Sequence, residues 1–419
     1  MTQSYDVIIL GAGASGLFTA INIAEGAPHK RILILEKGKE ALGKVRISGG
    51  GRCNLTNGEP NLREFVKNYP RGNRELLSAF SRFSNKDTMK WFETHQVALK
   101  EEADGRIFPV SNSSQTIIDC FLSLAKKYNI EILYKQNVHA FSFEKELWKV
   151  QATEVFHSRN LVVATGSNPK VWQLLSQLGH TIVPPVPSLF TFATEDSFIE
   201  GLAGVSKEVN AKLLATDHSP LKIPLLEKQG LVGALLVTHW GFSGPVILRL
   251  SAFAARILAQ LDYKFSLQIN WLAEGEESLN AEETLAILQE EKQKHPRKEM
   301  QNHCPFNLTK KLWNKLLERS GVLPHQLWAE LNKGQLHTLT QTLTASTFLI
   351  HDKAPFKEEF VTAGGVSLKE IDFKNFRSKL FPTLYIGGEA LDIDAVTGGY
   401  NFQNAWSGGY LIAEGVISE

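Results

Sequence analysis

The feature that most constrains this sequence is a glycine-rich hexapeptide near its start, Gly-Ala-Gly-Ala-Ser-Gly at residues 11–16. It follows a short β-rich run, YDVIIL at residues 5–10, and leads into a helical stretch that ends near Gly26. A second apolar run, RILILE, follows at residues 31–36. Because short, uninterrupted apolar runs are typical of buried parallel strands, the pattern predicts a βαβ unit.

The spacing of Gly11, Gly13 and Gly16 between a strand and a helix is that of a dinucleotide-binding turn. The first glycine allows the tight turn, the second lets a pyrophosphate approach the backbone, and the third lets the helix pack closely on the strand. The helix N-terminus attracts phosphate. Glu36 ends the second strand, where a carboxylate binds a ribose diol and disfavours a 2′-phosphate. The pattern therefore predicts FAD or NAD rather than NADP.

The composition is that of a chain with a large packed core: 419 residues, 43% hydrophobic and 21% charged. Its 45 basic and 44 acidic residues give a net charge of +1, so we expect no nucleic-acid partner. Residues 7–24 carry no charge, but three glycines interrupt them and the βαβ interpretation explains them better than a membrane span. Cys53, Cys120 and Cys304 have neither disulfide-framework nor zinc spacing, which predicts no metal and a reduced, cytoplasmic setting.

A second glycine segment, Ser-Gly-Gly-Gly-Arg-Cys-Asn at residues 48–54, follows Lys44 and Arg46. Three consecutive glycines let the backbone come close to a ligand, and the basic residues could neutralise phosphate; a mobile surface loop is the alternative. Arg46 and Arg52 would favour a thiolate at Cys53. Since no partner cysteine is near in sequence, we interpret Cys53 as a packing or flavin-contact residue rather than half of a redox disulfide.

Two further glycine turns carry chemistry. The first is Ala164, Thr165 and Gly166, at the end of a predicted strand at residues 161–164. The second precedes a predicted helix at residues 401–417 and contains Gly387, Gly388, Glu389, Gly398, Gly399, Tyr400 and Asn401. A carboxylate after a glycine turn can bind ribose or ribityl hydroxyls. The helix N-terminus that follows would stabilise the negative charge of a reduced flavin. A plain helix entry is the alternative for the last pair of glycines.

Hydrophobic periodicity and the positions of glycine and proline predict the elements in the rest of the chain. Helices are predicted at residues 74–95 and 113–128, followed by strands at residues 130–134, 140–143, 148–153 and 161–164, whose short spacing predicts an antiparallel meander. Pro184, Pro185 and Pro187 mark a boundary. Beyond it, strands are predicted over residues 189–275, and charged helices at residues 281–294, 308–319 and 325–332.

These motifs together resemble the BaiN-like flavoproteins, which are also described as NAD(P)/FAD-dependent oxidoreductases or aminoacetone-oxidase-family FAD-binding proteins. The segments that carry the resemblance are GAGASG, SGGGRCNLTN at residues 48–57, LVTHWGFSGP at 236–245, VTAGG at 361–365 and the stretch at 387–409. The resemblance covers essentially the whole chain. It implies an α/β fold: a glutathione-reductase-like Rossmann FAD domain at residues 1–188 and 356–419, an inserted β-barrel-like domain at 189–278 and 334–355, and a small helical subdomain at 279–333.

The resemblance also implies which residues contact FAD. They are the pyrophosphate turn Gly11, Ala12, Gly13, Ala14, Ser15 and Gly16; Glu36 and Lys37 at the ribose; Lys44, Gly49, Gly50, Gly51, Arg52, Cys53 and Asn54 along the cofactor; Val138 at the adenine; Ala164, Thr165 and Gly166; and Gly388, Glu389, Gly399, Tyr400 and Asn401 at the ribityl and flavin end. Two positions depart from the wider flavoprotein pattern. Glu389 stands where Asp is usual, and Ser167 stands where a second glycine is common.

The insert contains no second Gly-x-Gly-x-x-Gly between residues 189 and 356, so NAD(P)H would act as a transient electron donor without a Rossmann domain of its own. The catalytic residues are unknown from sequence, and the candidates are Cys53, His239 and Tyr400. His239 could donate a proton, as histidine side chains often do in catalysis, but a turn residue that only makes hydrogen bonds is the favoured interpretation. Tyr400 could be an acid or could pack against the isoalloxazine.

The sequence therefore predicts an FAD-dependent oxidoreductase acting on a small-molecule substrate. The resemblance suggests a reductase that passes hydride from NAD(P)H through flavin N5 to an unsaturated or carbonyl compound. The alternatives are a flavin oxidase of an amine or aminoketone and a flavin-binding sensor without turnover. A nucleic-acid-modifying role is weaker, and it would require a basic groove on the insert. The oligomeric state is not predicted.

Overall fold

The computed structural model describes residues 3–224, 226, 230–275, 277–354 and 361–419. The chain divides into two compact units, unit 1 at residues 1–186 and 362–419, and unit 2 at residues 187–361. Unit 1 is therefore built from both ends of the chain, and unit 2 is a continuous insertion.

The described residues form α-helices and 3₁₀ turns with the following bounds. The helices are α1 Ala14–Gly26, α2 Gly43–Gly51, α3 Leu62–Val66, α4 Asn73–Arg82, α5 Asn85–Thr94, α6 Ser114–Lys127, α7 Pro169–Gln177, α8 Pro245–Gln260, α9 Ala281–Lys294, α10 Lys310–Arg319, α11 Lys333–Ala345 and α12 Tyr400–Ile417. The 3₁₀ turns are Ser197–Ile199, Met300–Asn302, Trp328–Glu330, Leu368–Glu370 and Gly388–Ala390.

The strands are mostly short. They are β1 Gln3–Leu10, β2 Ile32–Leu35, β3 Thr56–Asn57, β4 Leu99–Glu101, β5 Arg106–Pro109, β6 Glu131–Leu133, β7 Ala140–Glu144, β8 Leu147–Gln151, β9 Val155–Val163, β10 Ile182–Ser188, β11 Phe192–Ala193, β12 Ser206–Leu214, β13 Leu231–Val237, β14 Gly241–Ser243, β15 Phe265–Asn270, β16 Ala273–Glu274, β17 Glu277–Ser278, β18 Ser346–Ile350, β19 Asp352–Lys353, β20 Val361–Val366, β21 Ile371–Asp372, β22 Arg377–Ser378 and β23 Leu384–Ile386.

The main sheet of unit 1 has a parallel core in the order β23-β9-β1-β2-β6. Strands β1 and β2 pair Val7 with Ile32 through Leu10 with Leu35, and these apolar side chains are buried. Strands β7, β8 and β9 form an antiparallel meander on this sheet, as predicted, whereas the predicted strand at residues 130–134 is β6, which pairs in parallel with β2 instead. The predicted α/β Rossmann-type fold is confirmed. Its topology brings the carboxyl ends of β1, β9 and β23 side by side, where ligands bind in such sheets.

Helices α1 and α12 pack closely in unit 1 because a glycine lies at their contact. A Cβ on Gly409 would be 3.0 Å from Thr19 Oγ1 and 3.1 Å from the Ser15 carbonyl oxygen. The aromatic rings of Phe18 and Trp406 pack beside this contact, with centroids 5.3 Å apart. The two helix N-termini are thereby held on one side of the sheet.

Unit 2 contains a seven-stranded sheet in the order β18-β15-β12-β13-β14-β11-β19 and a core that also includes α8 to α11. The prediction of strands throughout residues 189–275 is wrong at residues 245–260, which form helix α8. Pro245 occupies the first turn of this helix, where its missing N–H costs nothing. Arg249 and Arg256 are seven residues apart and so fall on one face of α8, a helical signal within an apolar run.

Two other predicted helices have different bounds in the structure. The predicted helix at residues 74–95 is two helices, because Ser84 and Asp87 form a capping box that starts α5. The predicted helix at residues 325–332 is wrong: a 3₁₀ turn covers Trp328–Glu330, and Asn332 with Gln335 then caps the start of α11.

Candidate cofactor site

The glycine turn after β1 has the backbone geometry that its motif predicts. Gly11 has φ +101° and its N–H donates to the Leu35 carbonyl at 2.9 Å. A Cβ on Gly11 would lie 2.6 Å from the Ala164 carbonyl oxygen, and one on Gly16 would overlap the Gly11 carbonyl oxygen. Both positions therefore require glycine for the turn and for close packing between helix and strands.

Gly13 differs from these two because it borders open space. It is the N-cap of α1 and supplies no side-chain cap, and a Cβ there would meet no atom of the described residues within 4 Å. The hydroxyl of the neighbouring Ser15 is buried and has no hydrogen-bond partner among the described residues. Uncapped N–H groups beside an unpartnered hydroxyl make a site for an anionic ligand group.

Glu36 lies at the end of β2, next to this turn. Its carboxylate accepts hydrogen bonds from the N–H groups of Ala12 at 2.7 Å and Gly38 at 2.6 Å. Its carbonyl oxygen accepts from the Gln136 N–H at 2.8 Å, which brings the segment before the buried Val138 alongside. Lys37 is exposed. Glu36 and Val138 thus lie at the same end of the sheet.

A second wall of the site comes from the glycine turn after β23. Gly388 has φ +63°, and a Cβ on it would lie 3.5 Å from Ser15 Cβ. Glu389 pairs with Lys44 at 2.5 Å, and a Cβ on Gly166 would lie 3.5 Å from a carboxylate oxygen of Glu389. Four separately predicted segments therefore converge on one place at the carboxyl ends of β1, β9 and β23.

The strand end after β9 adds a second unpartnered hydroxyl. The Ala164 N–H donates to the Leu10 carbonyl at 2.9 Å, which joins this strand end to the first glycine turn. Thr165 Oγ1 is buried and has no hydrogen-bond partner among the described residues. Together with Ser15 Oγ, it is a polar atom that a nucleotide would satisfy.

The segment at residues 48–54 breaks helix α2. Ser48 has extended backbone angles, and Gly49, Gly50 and Gly51 then have φ of +56°, +67° and +82°. In the described part of the chain, no atom lies within 4 Å of where a Cβ on Gly50 or Gly51 would be. Three consecutive left-handed residues are accessible only to glycine at low cost, and they leave the backbone open to a ligand. Arg52 pairs with Glu102 and stacks over Phe108.

Cys53 is buried, and burial raises the pKa of its thiol to about 12. The expectation that Arg46 and Arg52 would favour a thiolate is wrong, because both guanidinium groups are engaged with other side chains. Arg46 contacts Glu40 and Gln115. The thiol therefore stays protonated at neutral pH, which removes the chemical argument for Cys53 as a redox nucleophile.

Asn54 connects this segment to the start of α12. In the amide orientation that satisfies its neighbours, its oxygen accepts from the Gly399 N–H at 3.1 Å and its nitrogen donates to the Thr56 carbonyl at 3.0 Å. Gly399 has φ +90°, and a Cβ on it would lie 2.5 Å from the Thr56 carbonyl group. The side-chain amide of Asn401 exchanges two hydrogen bonds with the backbone of Ala395, both at 2.9 Å.

Tyr400 begins α12 and is buried. Its ring packs edge-to-face against Phe65, with centroids 4.9 Å apart. Its carbonyl oxygen accepts the Tyr69 hydroxyl at 2.5 Å. The ring of Tyr400 therefore packs in an aromatic cluster of unit 1. That Tyr400 also supplies a proton stays a prediction.

The sequence interpretation missed a buried ion pair beside this loop. Arg71 makes a bidentate contact with Asp394, whose side chain is fully buried. Asp392 is also buried. Two acidic residues within the otherwise apolar stretch ALDIDAV were the available signal, since buried carboxylates are nearly always paired. The pair fixes the segment between Glu389 and Gly399.

His239 lies in unit 2, at the exposed tip of the turn between β13 and β14. It lines a cavity of about 600 Å³ with residues that include Glu195, Asp196 and Glu200. Asp196 pairs with Arg319 at 3.0 Å. The cavity is acidic on balance, and it is not the basic groove that a nucleic-acid substrate would need at this surface.

The glycine turns and helix starts of unit 1 described above form a cradle that fits FAD. Among the described residues, Gly13 and Gly50 border open space, and the hydroxyls of Ser15 and Thr165 have no hydrogen-bond partner. Helices α1 and α12 both begin there without side-chain caps. Ser15 and the start of α1 would hold the pyrophosphate, Glu36 the adenosine ribose, and the start of α12 the flavin. An FAD-dependent oxidoreductase is the class of protein that this fold and cradle define.

The chain belongs to the HI0933-like family, because the model of the HI0933-like protein Rossmann domain matches residues 5–415. Two relatives are named ribosomal RNA dihydrouridine synthase: one from Haemophilus influenzae, 29% identical over 99% of this chain and 98% of that protein, and one from Escherichia coli, 26% identical over 99% of both. The 3-dehydro-bile acid delta(4,6)-reductase of Clostridium scindens is 27% identical over 96% of this chain and 97% of that protein.

The fold also resembles a solved flavoenzyme. The 3-ketosteroid-delta4-(5alpha)-dehydrogenase of Rhodococcus jostii matches 100% of this chain and 97% of its own, with a TM-score of 0.52 and 12% identity, which shows the fold alone. Among the described residues, no helix has the length and apolar character that a membrane crossing requires.

Proposed function

We propose that this protein reduces a carbon–carbon double bond conjugated to a carbonyl group, taking hydride from NAD(P)H. The proposal depends on one observation: the reactions that the names of its relatives describe have the same chemistry. A dihydrouridine synthase adds hydrogen across the ring double bond of uridine, and a delta(4,6)-reductase of a 3-dehydro-bile acid reduces double bonds near a 3-oxo group. In both compounds the double bond is conjugated to a carbonyl, so one reaction accounts for relatives with unlike substrates.

Ser15, Glu36 and the start of α12 would hold FAD, which would supply the hydride chemistry for the double bond. The protein's own residues must orient that carbonyl and deliver a proton to the α carbon. His239 and Tyr400 remain the candidates for proton transfer, since both residue types can donate one. Cys53 is a poor candidate, because its thiol is buried and its pKa is raised to about 12.

The test of the reaction type is anaerobic. The yellow protein is mixed with NADH or NADPH, and bleaching of the flavin absorbance is followed. We expect bleaching by at least one nicotinamide and recovery of the colour when an oxo-conjugated alkene is added. A Gly13→Val protein serves as the flavin-free control. No bleaching by either nicotinamide would count against a reductase, and bleaching by an amine instead would favour an oxidase.

The substrate class is tested with two compounds in parallel. A 3-oxo steroid with a conjugated double bond represents a small-molecule substrate, and ribosomal RNA lacking dihydrouridine represents the alternative that two of the relatives favour. Mass spectrometry detects the gain of two hydrogen atoms in either product. The net charge of +1 and the acidic cavity of unit 2 support a small molecule. Reduction of the RNA alone would overturn that choice without overturning the reaction type.

A further inference from the structure

The helical part of unit 2 brings together three potential metal ligands that the flavin chemistry does not use. They are Glu291, His295 and His303, each offering one ligand atom, and these atoms all lie within 4.8 Å of one another. Glu291 lies in the last turn of α9 and His295 caps that helix, so the two side chains are four residues apart on one face. The 3₁₀ turn Met300–Asn302 then brings His303 back to them.

The two imidazoles converge on one carboxylate oxygen. His303 Nε2 is 2.6 Å and His295 Nε2 is 3.7 Å from the same Glu291 oxygen, and the ring centroids are 4.4 Å apart. All three side chains are partly buried, with 18%, 34% and 23% of the Glu291, His295 and His303 side chains exposed. We propose that these residues form a binding site for a divalent transition-metal ion, with zinc as the preferred occupant.

The ligand chemistry selects this class of ion. Two ring nitrogens and one carboxylate are a common zinc set, whereas magnesium and calcium require oxygen ligands throughout. Three protein ligands leave a position for water. Cys304 follows His303 directly, but its thiol donates to the Phe306 carbonyl at 3.3 Å and is not part of the cluster. The ion would connect the end of α9 to the turn before α10.

The charges around the cluster permit a cation. Lys298 Nζ is 3.4 Å from His303 Nδ1 but Lys298 is exposed, so its ammonium group can turn into solvent. Lys294 pairs with Glu290 at 2.5 Å. A carboxylate oxygen of Glu299 is 3.6 Å from His325 Nδ1. His325 is 81% exposed and lies outside the cluster, which makes it a matched histidine control.

The test is zinc titration of the full-length, FAD-loaded protein after chelator treatment, followed by calorimetry. Cobalt is the spectroscopic probe, because its d–d bands lie at longer wavelength than flavin absorbance. We expect one zinc per chain, a raised thermal midpoint, and affinity weakened about 100-fold or more in His303→Ala and in Glu291→Gln. His325→Ala should bind zinc as the wild type does. No zinc binding by the wild type, or equal affinity in His303→Ala, would overturn the proposal, and the far-UV circular dichroism and metal-free thermal unfolding of each variant check that it is folded.

Discussion

Helix α1 begins after Gly13 and helix α12 begins after Gly399, and neither N-terminus receives a side-chain cap. The two glycines have different surroundings. A Cβ on Gly13 would have no neighbour within 4 Å among the residues that the structure describes, and the φ of Gly13, −84°, suits any residue. A Cβ on Gly399 would lie 2.5 Å from the Thr56 backbone, and its φ of +90° is in the left-handed region.

Glycine is therefore needed at the two positions for different reasons, which a sequence motif does not distinguish. At Gly13 the structure leaves space that a ligand could fill, so a side chain there should weaken ligand binding. At Gly399 the protein fills the room with its own strand β3, so a side chain there should affect the fold. Substitutions at the two positions should therefore fail in opposite ways.

The largest effect is expected for Gly13→Val. The side chain would occupy the space that the pyrophosphate needs, so we expect FAD affinity to fall by at least about 1000-fold, equivalent to about 4 kcal/mol. The apoprotein should fold normally, because the backbone angles and the open space accept valine. Flavin absorbance after purification and thermal unfolding of the apoprotein measure the two effects. A variant that stays yellow would show that the turn is misassigned.

The next effect is expected for Gly399→Ala, which should lower the free energy of unfolding by about 3 kcal/mol, from left-handed strain and from the contact with Thr56. Gly50→Ala is the matched control, because Gly50 has φ +67° but open space around its Cβ. It should cost only the strain, about 1 kcal/mol. Denaturant unfolding of the two apoproteins measures both values. Equal losses would mean that the approach to Thr56 contributes nothing.

These positions also show how far the sequence could lead. Strands β1 and β2 were predictable because both faces are buried and every residue of β2 is apolar. Helix α8 was not, because a buried helix and a buried strand share apolar composition; only the spacing of Arg249 and Arg256 distinguished them. The glycine turns could be predicted because backbone angles or close contacts exclude other residues at Gly11, Gly16 and Gly399, while the motif spacing marks Gly13 as the position that leaves space for a ligand.

The rest of the site depends on contacts between distant residues. Arg71 and Asp394 are 323 residues apart, and no local pattern pairs them. The environment of Cys53 was predicted wrongly because residues near in sequence need not be partners in space: Arg52 pairs with Glu102, and Arg46 pairs with Glu40. The net charge, likewise, averages over the surface, and it did not anticipate relatives that are named for ribosomal RNA.

A smaller effect on FAD affinity is expected for Ser15→Ala, at the start of α1. Ser15→Ala removes a buried hydroxyl that has no described partner, so the apoprotein should lose almost no stability, whereas FAD affinity should fall about 10-fold. Ser407→Ala is the opposite control, because its hydroxyl donates to the Phe83 carbonyl at 2.7 Å. It should cost about 1 kcal/mol of stability and leave FAD affinity unchanged. Flavin titration and unfolding of both variants decide this, and a Ser15→Ala protein with wild-type affinity would contradict it.

The smallest effect at neutral pH is expected for Cys53→Ala, in the segment at residues 48–54 that contacts the start of α12 through Asn54. Burial raises the pKa of this thiol from 9.0 to about 12, so the folded protein holds the proton while the unfolded chain releases it above pH 9. The stability from this group is therefore fully present below pH 9 and is lost as the pH rises from 9 towards 12. Wild-type stability should fall more steeply than that of Cys53→Ala over this range, by at most about 1.4 kcal/mol for each pH unit. Because the thiol is protonated throughout the neutral range, flavin reduction by NAD(P)H should be unchanged in the variant. A variant that binds FAD normally but is no longer reduced would make Cys53 a redox participant after all, and the segment at residues 48–54 would then take part in the reaction as well as in cofactor binding.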